Sequence, residues 1–539
     1  MDNHLEPSTA QDPIDTTTTN PPDSHETAMV RPTTTPTEQP QTDNSSLSED
    51  KYKVTLDDEE DPLNTPVFQK WVSIAIIASA ATCVTCASSV ASYTQKPQQK
   101  EWHVSSTVTI LAISLFVEGL GIGPLLLGPM SEFYGRNKVY WTSFTIYILL
   151  TLPVALAPDI SVFLVFRFLT GFSGSAFLSV AGGSVTDLFR NENVALPMAV
   201  YSASPFMGPV LGPAISGFIN QNTNWRWTYW TIMIWTGVEL ALLVLFVPET
   251  HRATLEKRKA QRIRKQTGDP NYYSALEKND KGVFQTIQIS CSKPFLIMYH
   301  EPMALALNIW SALLLGVLYL TFEAFPTRVF NAQRHFNTQI SGLSFLGIGL
   351  GMLIGILSQP YWVKVYLEER VPFWEKDRRR ELEQKREVEN EKGKGILRKK
   401  TKPEPETRLL IGMAGAVLVP IGLFWFAFTT PHAIHWIVPM LATIPFGTGV
   451  VYAYIGIWSY LVDCYRPHAA SAMAGNSFVR SAFAAVFPLF ATAMYVRLGV
   501  VGATGLLAGL TLCMTPLPFL FYHYGRRLRK NSRFVVTTS

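Results

Sequence analysis

The chain has 539 residues, 47% of them apolar and 16% charged, with a formal net charge of +5. Soluble domains carry about 25% charged residues; here the charges cluster between apolar runs of roughly 20 residues, the length that crosses a bilayer core of about 30 Å. This excludes a water-soluble globular protein and, since short alternating segments are lacking, a β-barrel; the fold class is an all-α polytopic membrane protein.

Residues 1–68 hold 15 acids against three Lys/Arg and are rich in Thr, Pro, Ser and Gln. Such a composition buries too little surface to offset its ordering entropy, so a disordered acidic tail is expected. It contains no apolar segment, which makes the first span the insertion signal; the sequon Asn44-Ser45-Ser46 matters only on a lumenal tail. Twelve spans follow, at 70–92, 105–129, 139–157, 161–184, 196–219, 227–247, 303–326, 340–363, 409–429, 434–459, 470–495 and 499–522. They form a six-helix half over 69–247 and a second over 303–524. A basic loop at 248–302 separates the halves, a charged insert at 364–408 interrupts the second, and a basic tail, 525–539, ends the chain. Within the insert, the run "EKDRRRELEQKREVENEKGKGILRKK" suits a solvated surface helix broken at Gly393 and Gly395.

Lys and Arg set the orientation. With both termini cytoplasmic, the inward loops and C-terminal tail carry 34 Lys/Arg, and the outward loops carry six: Lys96, Lys100, Arg226, Arg328, Arg334 and Arg497. The basic runs are thereby explained by topology, and nucleic-acid binding is not expected because no binding fold accompanies the charge. Cys83 and Cys86 form a C-x-x-C inside the first span, where packing rather than redox chemistry is expected, and the five cysteines suggest no disulfide framework. There is no phosphate-binding Gly-x-x-x-x-Gly-Lys-Ser/Thr loop and no nucleophile elbow. The ten histidines offer one close pair, His432 and His435, without a third ligand. No cofactor, metal or enzymatic activity is expected.

The segment "FVEGLGIGPLLLGPMSEFYGRNK" (116–138) places Glu118 in a lipid-length helix together with Gly119 and Gly123, four residues apart on one face. Small residues at that spacing let helices approach closely, which suits a face that slides and equally a static one. The helix ends Gly128-Pro-Met-Ser-Glu132-Phe-Tyr-Gly135-Arg136. This ending resembles the loop signature of the major facilitator superfamily, which usually has Asp where this chain has Glu132. In that family the acid latches the outward-facing state; Asn137 stands where a second basic residue is common. "RFLTGFSGS" (167–175) resembles the family's span-four element. "GPVLGPAISG" (208–217) is similar to its antiporter signature through Gly208, Pro209, Gly212, Pro213 and Gly217, with Ser216 replacing one glycine. "NWRW" (224–227), "PET" (248–250) and "AMAGNSFVRSAFAAVFPLF" (472–490) resemble the fungal twelve-span drug:proton antiporters. Gly119-Leu-Gly-Ile-Gly123 and Gly347-Ile-Gly-Leu-Gly351 are a faint internal repeat.

Ionisable groups at a helix centre cost about 2.5–3.5 kcal/mol each on insertion scales. Five stand in spans: Glu118, Arg167, Glu239, Glu323 and Arg480. Glu118 and Glu323 are the candidate proton carriers, Arg167 and Arg480 the candidate charge network. The family arrangement puts Glu239 at the periphery in a structural role and makes Glu118 the natural partner of Arg480. Glu132, with Gly128, Gly135 and Arg136, forms the candidate latch, while Asp187 and Asp463 suit helix-end partners for loop arginines. Tyr201, Trp310, Tyr319, Phe322, Tyr452 and Tyr454, with Asn476 as a polar anchor, are candidates for the cavity wall.

The resemblance implies a major facilitator fold of two six-helix halves and proton-coupled export of small amphipathic or lipophilic organic molecules, such as drugs, toxins or secondary metabolites. Polyamine or other small-solute transport, and a transceptor with little flux, are the alternatives. The expected partners are the bilayer, a small organic substrate and protons, around a monomer. The expected location is the plasma membrane, with the vacuolar membrane as the alternative.

Overall fold

The computed structural model describes residues 52–190, 193–277, 283–367, 404–431 and 433–530, with Ser532 and Phe534. The sequon, His432 and the charged run of the 364–408 insert lie outside the described residues. In a bilayer every backbone polar group needs an internal partner, which forces apolar runs into helices. The first half is built from α1 (Val67–Ser89), the short α2 (Gln95–Trp102), α3 (Ser106–Tyr134) and α4 (Arg136–Ala155). It continues with the broken span α5 (Ile160–Gly174), α6 (Ala176–Ser179) and α7 (Ala181–Leu188), then α8 (Ala195–Asn222) and α9 (Arg226–Phe246). Two further helices, α10 (Arg252–Thr267) and α11 (Val283–His300), occupy the 248–302 segment. The second half begins with α12 (Pro302–Ala324), which runs through a π-helical turn at Phe325–Phe330 into α13 (Asn331–Arg334). It then has α14 (Thr338–Leu343), α15 (Leu346–Leu357), α16 (Gln359–Leu367), α17 (Leu409–Thr429) and α18 (Ile437–Cys464). Last come α19 (Ala469–Met514) and α20 (Pro516–Lys530).

By length and composition alone, nine of the described helices can cross a membrane. One of these, Ala469–Arg529, is two spans joined at Gly499, whose φ of 68° turns the chain without a loop. With α4 and α8 the described spans number twelve. The lipid-facing side is apolar, as at Leu149, Ile234 and Leu245.

Three expectations are corrected. The turn expected after residue 129 is a single residue: α3 continues to Tyr134, and Gly135, at φ 97°, passes the chain straight into α4. Residues 52–66, within the stretch expected as a disordered tail, make defined contacts. Their acids meet the basic α10, with Lys259 on Asp57 (2.6 Å) and Glu60 (3.1 Å) and Arg252 on Asp61 (3.4 Å). The Val54 amide also donates to the Tyr273 carbonyl at 3.0 Å. The 248–302 segment is no simple loop either, since α11 packs on both α3 and α19. There a Cβ on Gly475 would sit 3.5 Å from Pro294, and Phe295 meets Phe478 edge-on at 5.1 Å.

Candidate functional site

The halves meet through α3 against the first part of α19 and through α8 against α14 and α15. Residues 114, 118, 121 and 125 share one face of α3, since positions three and four apart are helix neighbours. Two of them touch α19: Ser114 Oγ donates to the Ala485 carbonyl at 2.5 Å, and a Cβ on Gly121 would lie 2.4 Å from Ser481 Cβ. Glu118 therefore points towards the interface between the halves. It is half-buried and has no hydrogen bond or ion pair among the described residues. Gly119 and Gly123 turn the other way and press on α5 and Ser175, where a Cβ at 119 would stand 2.4 Å from the Phe168 carbonyl oxygen.

Arg480, across the interface on α19, is half-buried. Its guanidinium lies 5.6 Å from the Tyr454 ring centroid and 5.3 Å from that of Trp458, and its Nε is buried without a partner. The expected Glu118–Arg480 ion pair is not formed: neither group has an ion partner among the described residues. The chain satisfies its other intramembrane arginine in a different way. Arg167 is fully buried; its Nε donates to the Ala112 carbonyl and its Nη2 to the Ala87 carbonyl, both at 3.0 Å. The rings of Phe116 (4.3 Å) and Tyr229 (5.5 Å) cover it. Arg167 thus ties α5 to α1 and α3 with no carboxylate and stands apart from Arg480. Glu239 accepts from Ser79 and, at 3.1 Å, from Trp235 Nε1, joining α9 to α1 in a packing role.

The aromatic candidates separate into two groups. Tyr319 crosses the interface, its hydroxyl 2.8 Å from Ser88 Oγ on α1. Tyr201 donates to the carbonyls of Phe177 and Leu178 (3.2 Å each), and Tyr454 donates to the Ser311 carbonyl at 2.6 Å. Of these, Tyr454 lies along the wall beside the Arg480 guanidinium, at 5.6 Å. Asn476 holds the same wall together: it accepts from Trp458 Nε1 (3.0 Å) and donates to Asn308 Oδ1 (3.0 Å) and Ser311 Oγ (2.6 Å). In contrast, Trp310 points at α17 beside Gly412, Phe322 packs between Tyr319 and Phe345, and Tyr452 bonds Ser358 at 2.7 Å and packs on Trp362. Tyr452 and Trp310 face neighbours within the second half. Sequence reasoning missed Phe206, which stacks on Trp458 at 5.8 Å from the other half, and Trp458 itself. The signal available was that Trp458 stands one helical turn after Tyr454.

The antiporter-signature helix α8 uses its glycines for close approach. A Cβ on Gly208 would meet Thr85 Oγ1 at 2.0 Å, one on Gly212 would meet Ser89 Oγ at 2.0 Å, and one on Gly217 would meet the Thr338 carbonyl at 2.8 Å. Pro209 and Pro213 lie inside this helix. At the Gly217 end Glu323, buried, accepts from Gln95 Nε2 at 2.8 Å and bridges the halves.

At the opposite end the candidate latch takes a different form from the one expected. Arg136 reaches Asp187 (3.2 Å) and Ser131 Oγ (2.7 Å). Its backbone N–H is held by Glu249 Oε1 at 2.8 Å; the His251 amide (3.1 Å) and Arg258 (3.3 Å) complete the grip on that carboxylate. Glu132 is exposed and has no partner among the described residues, so the acid that engages the loop here is Glu249 of the "PET" element. A Cβ on Gly135 would fall 2.2 Å from Glu249 Oε2, and the φ of 97° there strains any residue but glycine. Gly128 has nothing within 4 Å of its would-be Cβ. The second half repeats the helix-end pair as Arg408–Asp463 (3.0 Å), with Arg529 clasping Glu406 (2.7 Å). No cluster of His, Cys, Asp and Glu among the described residues could hold a metal ion.

The sequence pattern of the Major Facilitator Superfamily matches residues 76–380. The efflux pump atB of Aspergillus terreus is 44% identical over 434 residues, covering 80% of this chain and 87% of that protein. The "Probable drug/proton antiporter YHK8" of Saccharomyces cerevisiae is 38% identical over 437 residues, covering 81% and 80%. Among solved structures, the xylose transporter XylE of E. coli aligns with a TM-score of 0.55 at 13% identity, over 84% of this chain and 99% of that one, a likeness of fold alone. Twelve helices in two halves, glycine-mediated contacts on α3 and α8, and these relatives together place the chain in the major facilitator superfamily, in the same family as these fungal efflux pumps.

Proposed function

We propose that the protein exports small amphipathic or lipophilic organic molecules in exchange for protons, by alternating access. The observation that carries this reading is Glu118, a half-buried carboxyl at the interface of the two halves with no partner among the described residues. Rocking of the two halves changes which side's water reaches this carboxyl, so proton exchange at Glu118 and the conformational equilibrium are linked. Glu323, already engaged with Gln95 at one end, serves in closing that end. The Lys/Arg asymmetry supports a cytoplasmic Arg136 end with both termini on that side, and the reading takes the plasma membrane as the location. The efflux names of the relatives support the direction of transport. A polyamine substrate fits poorly, because the unpaired Arg480 repels a polycation.

The test is Glu118→Gln in proteoliposomes, using a compound first identified by growth of a transporter-deficient host against a panel. Uphill, pH-driven transport should disappear while substrate binding and substrate–substrate exchange persist. Uphill transport at the wild-type rate rules Glu118 out as the carrier and moves the same test to Glu323. Absence of flux for every panel compound, with binding intact, favours a transceptor.

A further inference from the structure

Arg480 is a cation inside the membrane-spanning region that no described residue neutralises. Its Nε is buried and unpartnered, and no carboxylate or carbonyl reaches its other nitrogens among the described residues. The contrast with Arg167 shows that this fold can satisfy such a group with two carbonyls, at 3.0 Å each. The side chains around Arg480 are hydrogen-bonded to one another. Tyr454 is fixed by Ser311, and Trp458 is fixed by Asn476, which is fixed in turn by Asn308 and Ser311. Phe206 closes the wall from the other half, packing on Tyr454 at 5.4 Å and Trp458 at 5.8 Å. The guanidinium therefore sits against aromatic faces with its hydrogen-bonding edge unused. That edge is a planar fork of donors matched to a carboxylate.

We propose that Arg480 is the anion-binding residue of the substrate site and that the exported molecules are amphipathic organic acids. The carboxylate lies on Arg480 and the apolar body against Phe206, Tyr454 and Trp458. This deepens the exporter reading and rests on it. Glu118 makes no contact with Arg480, so an acid bound there leaves the Glu118 carboxyl free to exchange its own proton. One proton inward for one monovalent anion outward moves two units of positive charge inward per cycle. Export of an acid is then driven by an inside-negative potential as well as by a pH gradient.

The test uses one aromatic frame in three charge states, 2-naphthoate, 2-naphthamide and 2-naphthylmethylammonium, titrated into the purified full-length protein. Naphthoate should bind at least about tenfold tighter than the ammonium compound, the scale of one charge-assisted hydrogen bond. Arg480→Gln should erase that preference and Arg480→Lys should keep part of it. The wild-type series alone decides the matter if neither variant elutes as a monodisperse protein. Equal affinity for the three probes, or stronger binding of the ammonium, overturns the proposal, as does an unchanged preference in Arg480→Gln. Failure of the exporter reading has a separate signature, namely loss of pH-driven uphill transport for every compound while the naphthoate preference stands. Where uphill transport holds, imposing an inside-negative potential with potassium and valinomycin should accelerate naphthoate export; insensitivity to the potential also overturns the proposal.

Discussion

Glu249→Gln separates the acid that holds the α3–α4 turn from the one the sequence motif suggests. Glu249 is buried and accepts from the Arg136 amide at 2.8 Å, the His251 amide at 3.1 Å and Arg258 at 3.3 Å. Glutamine keeps the shape but removes the charge. A hydrogen bond to a charged group contributes about 1.5–3 kcal/mol against about 0.5–1.5 for a neutral one, so the two backbone donors lose about 1 kcal/mol each. Arg258, whose side chain is 42% exposed, adds less than about 1 kcal/mol. The total is about 2–3 kcal/mol. For a cooperative unit the size of one six-helix half, this lowers the melting temperature by roughly 4–12 °C. The assay is thermal unfolding of the detergent-purified protein followed with a thiol-reactive dye, which reports exposure of the buried Cys83 and Cys86. Glu132→Gln, at an exposed position without a partner, should shift stability by no more than about 0.5 kcal/mol. If Glu249→Gln melts with the wild type, or if Glu132→Gln is the more damaging change, the turn is not held in the way argued.

Gly119→Ala and Gly121→Ala should fail in different ways. The first drives a Cβ to 2.4 Å from the Phe168 carbonyl within one half and should lower the yield of folded protein by size-exclusion chromatography. The second drives a Cβ to 2.4 Å from Ser481 across the interface and should cut transport more than yield. His251 titrates at about 4 because burial, and then the Arg136 charge, disfavour its imidazolium, whereas an unfolded histidine titrates near 6.5. The unfolded chain therefore takes up the proton first, so stability is full above about pH 6.5 and falls as the pH drops towards about 4. Melting at pH 7 and pH 5 should show this slope, and His251→Gln should flatten it. A cysteine at the exposed Gln266 of α10 should resist an impermeant maleimide in intact cells and react after permeabilisation; labelling in intact cells reverses the proposed orientation.

The sequence alone determined the membrane class, the number of spans and the close-packing face of α3. Lipid solvation acts on each segment separately, so an apolar run of span length and a glycine at four-residue spacing carry their meaning locally. The span boundary near residue 129 was not legible, because only the backbone showed that the helix runs on to Tyr134 and that one residue, Gly135 at φ 97°, suffices for the turn. Partnership was a different matter. Glu132 and Glu249 are both acids near a helix end, and only the packing of α9 against α4, with α10 against α3, decides that Glu249 grips the Arg136 amide while Glu132 faces solvent. Arg167 and Arg480 looked alike as intramembrane arginines; one is satisfied by carbonyls of α1 and α3, and the other is left open against Tyr454 and Trp458. Phe206 became part of the site only because α8 crosses to α18, and Tyr452 left it because its side of α18 faces α15 and α16. Which residues meet across helices depends on crossing geometry and helix rotation summed over the whole bundle, and no window of the sequence contains that information.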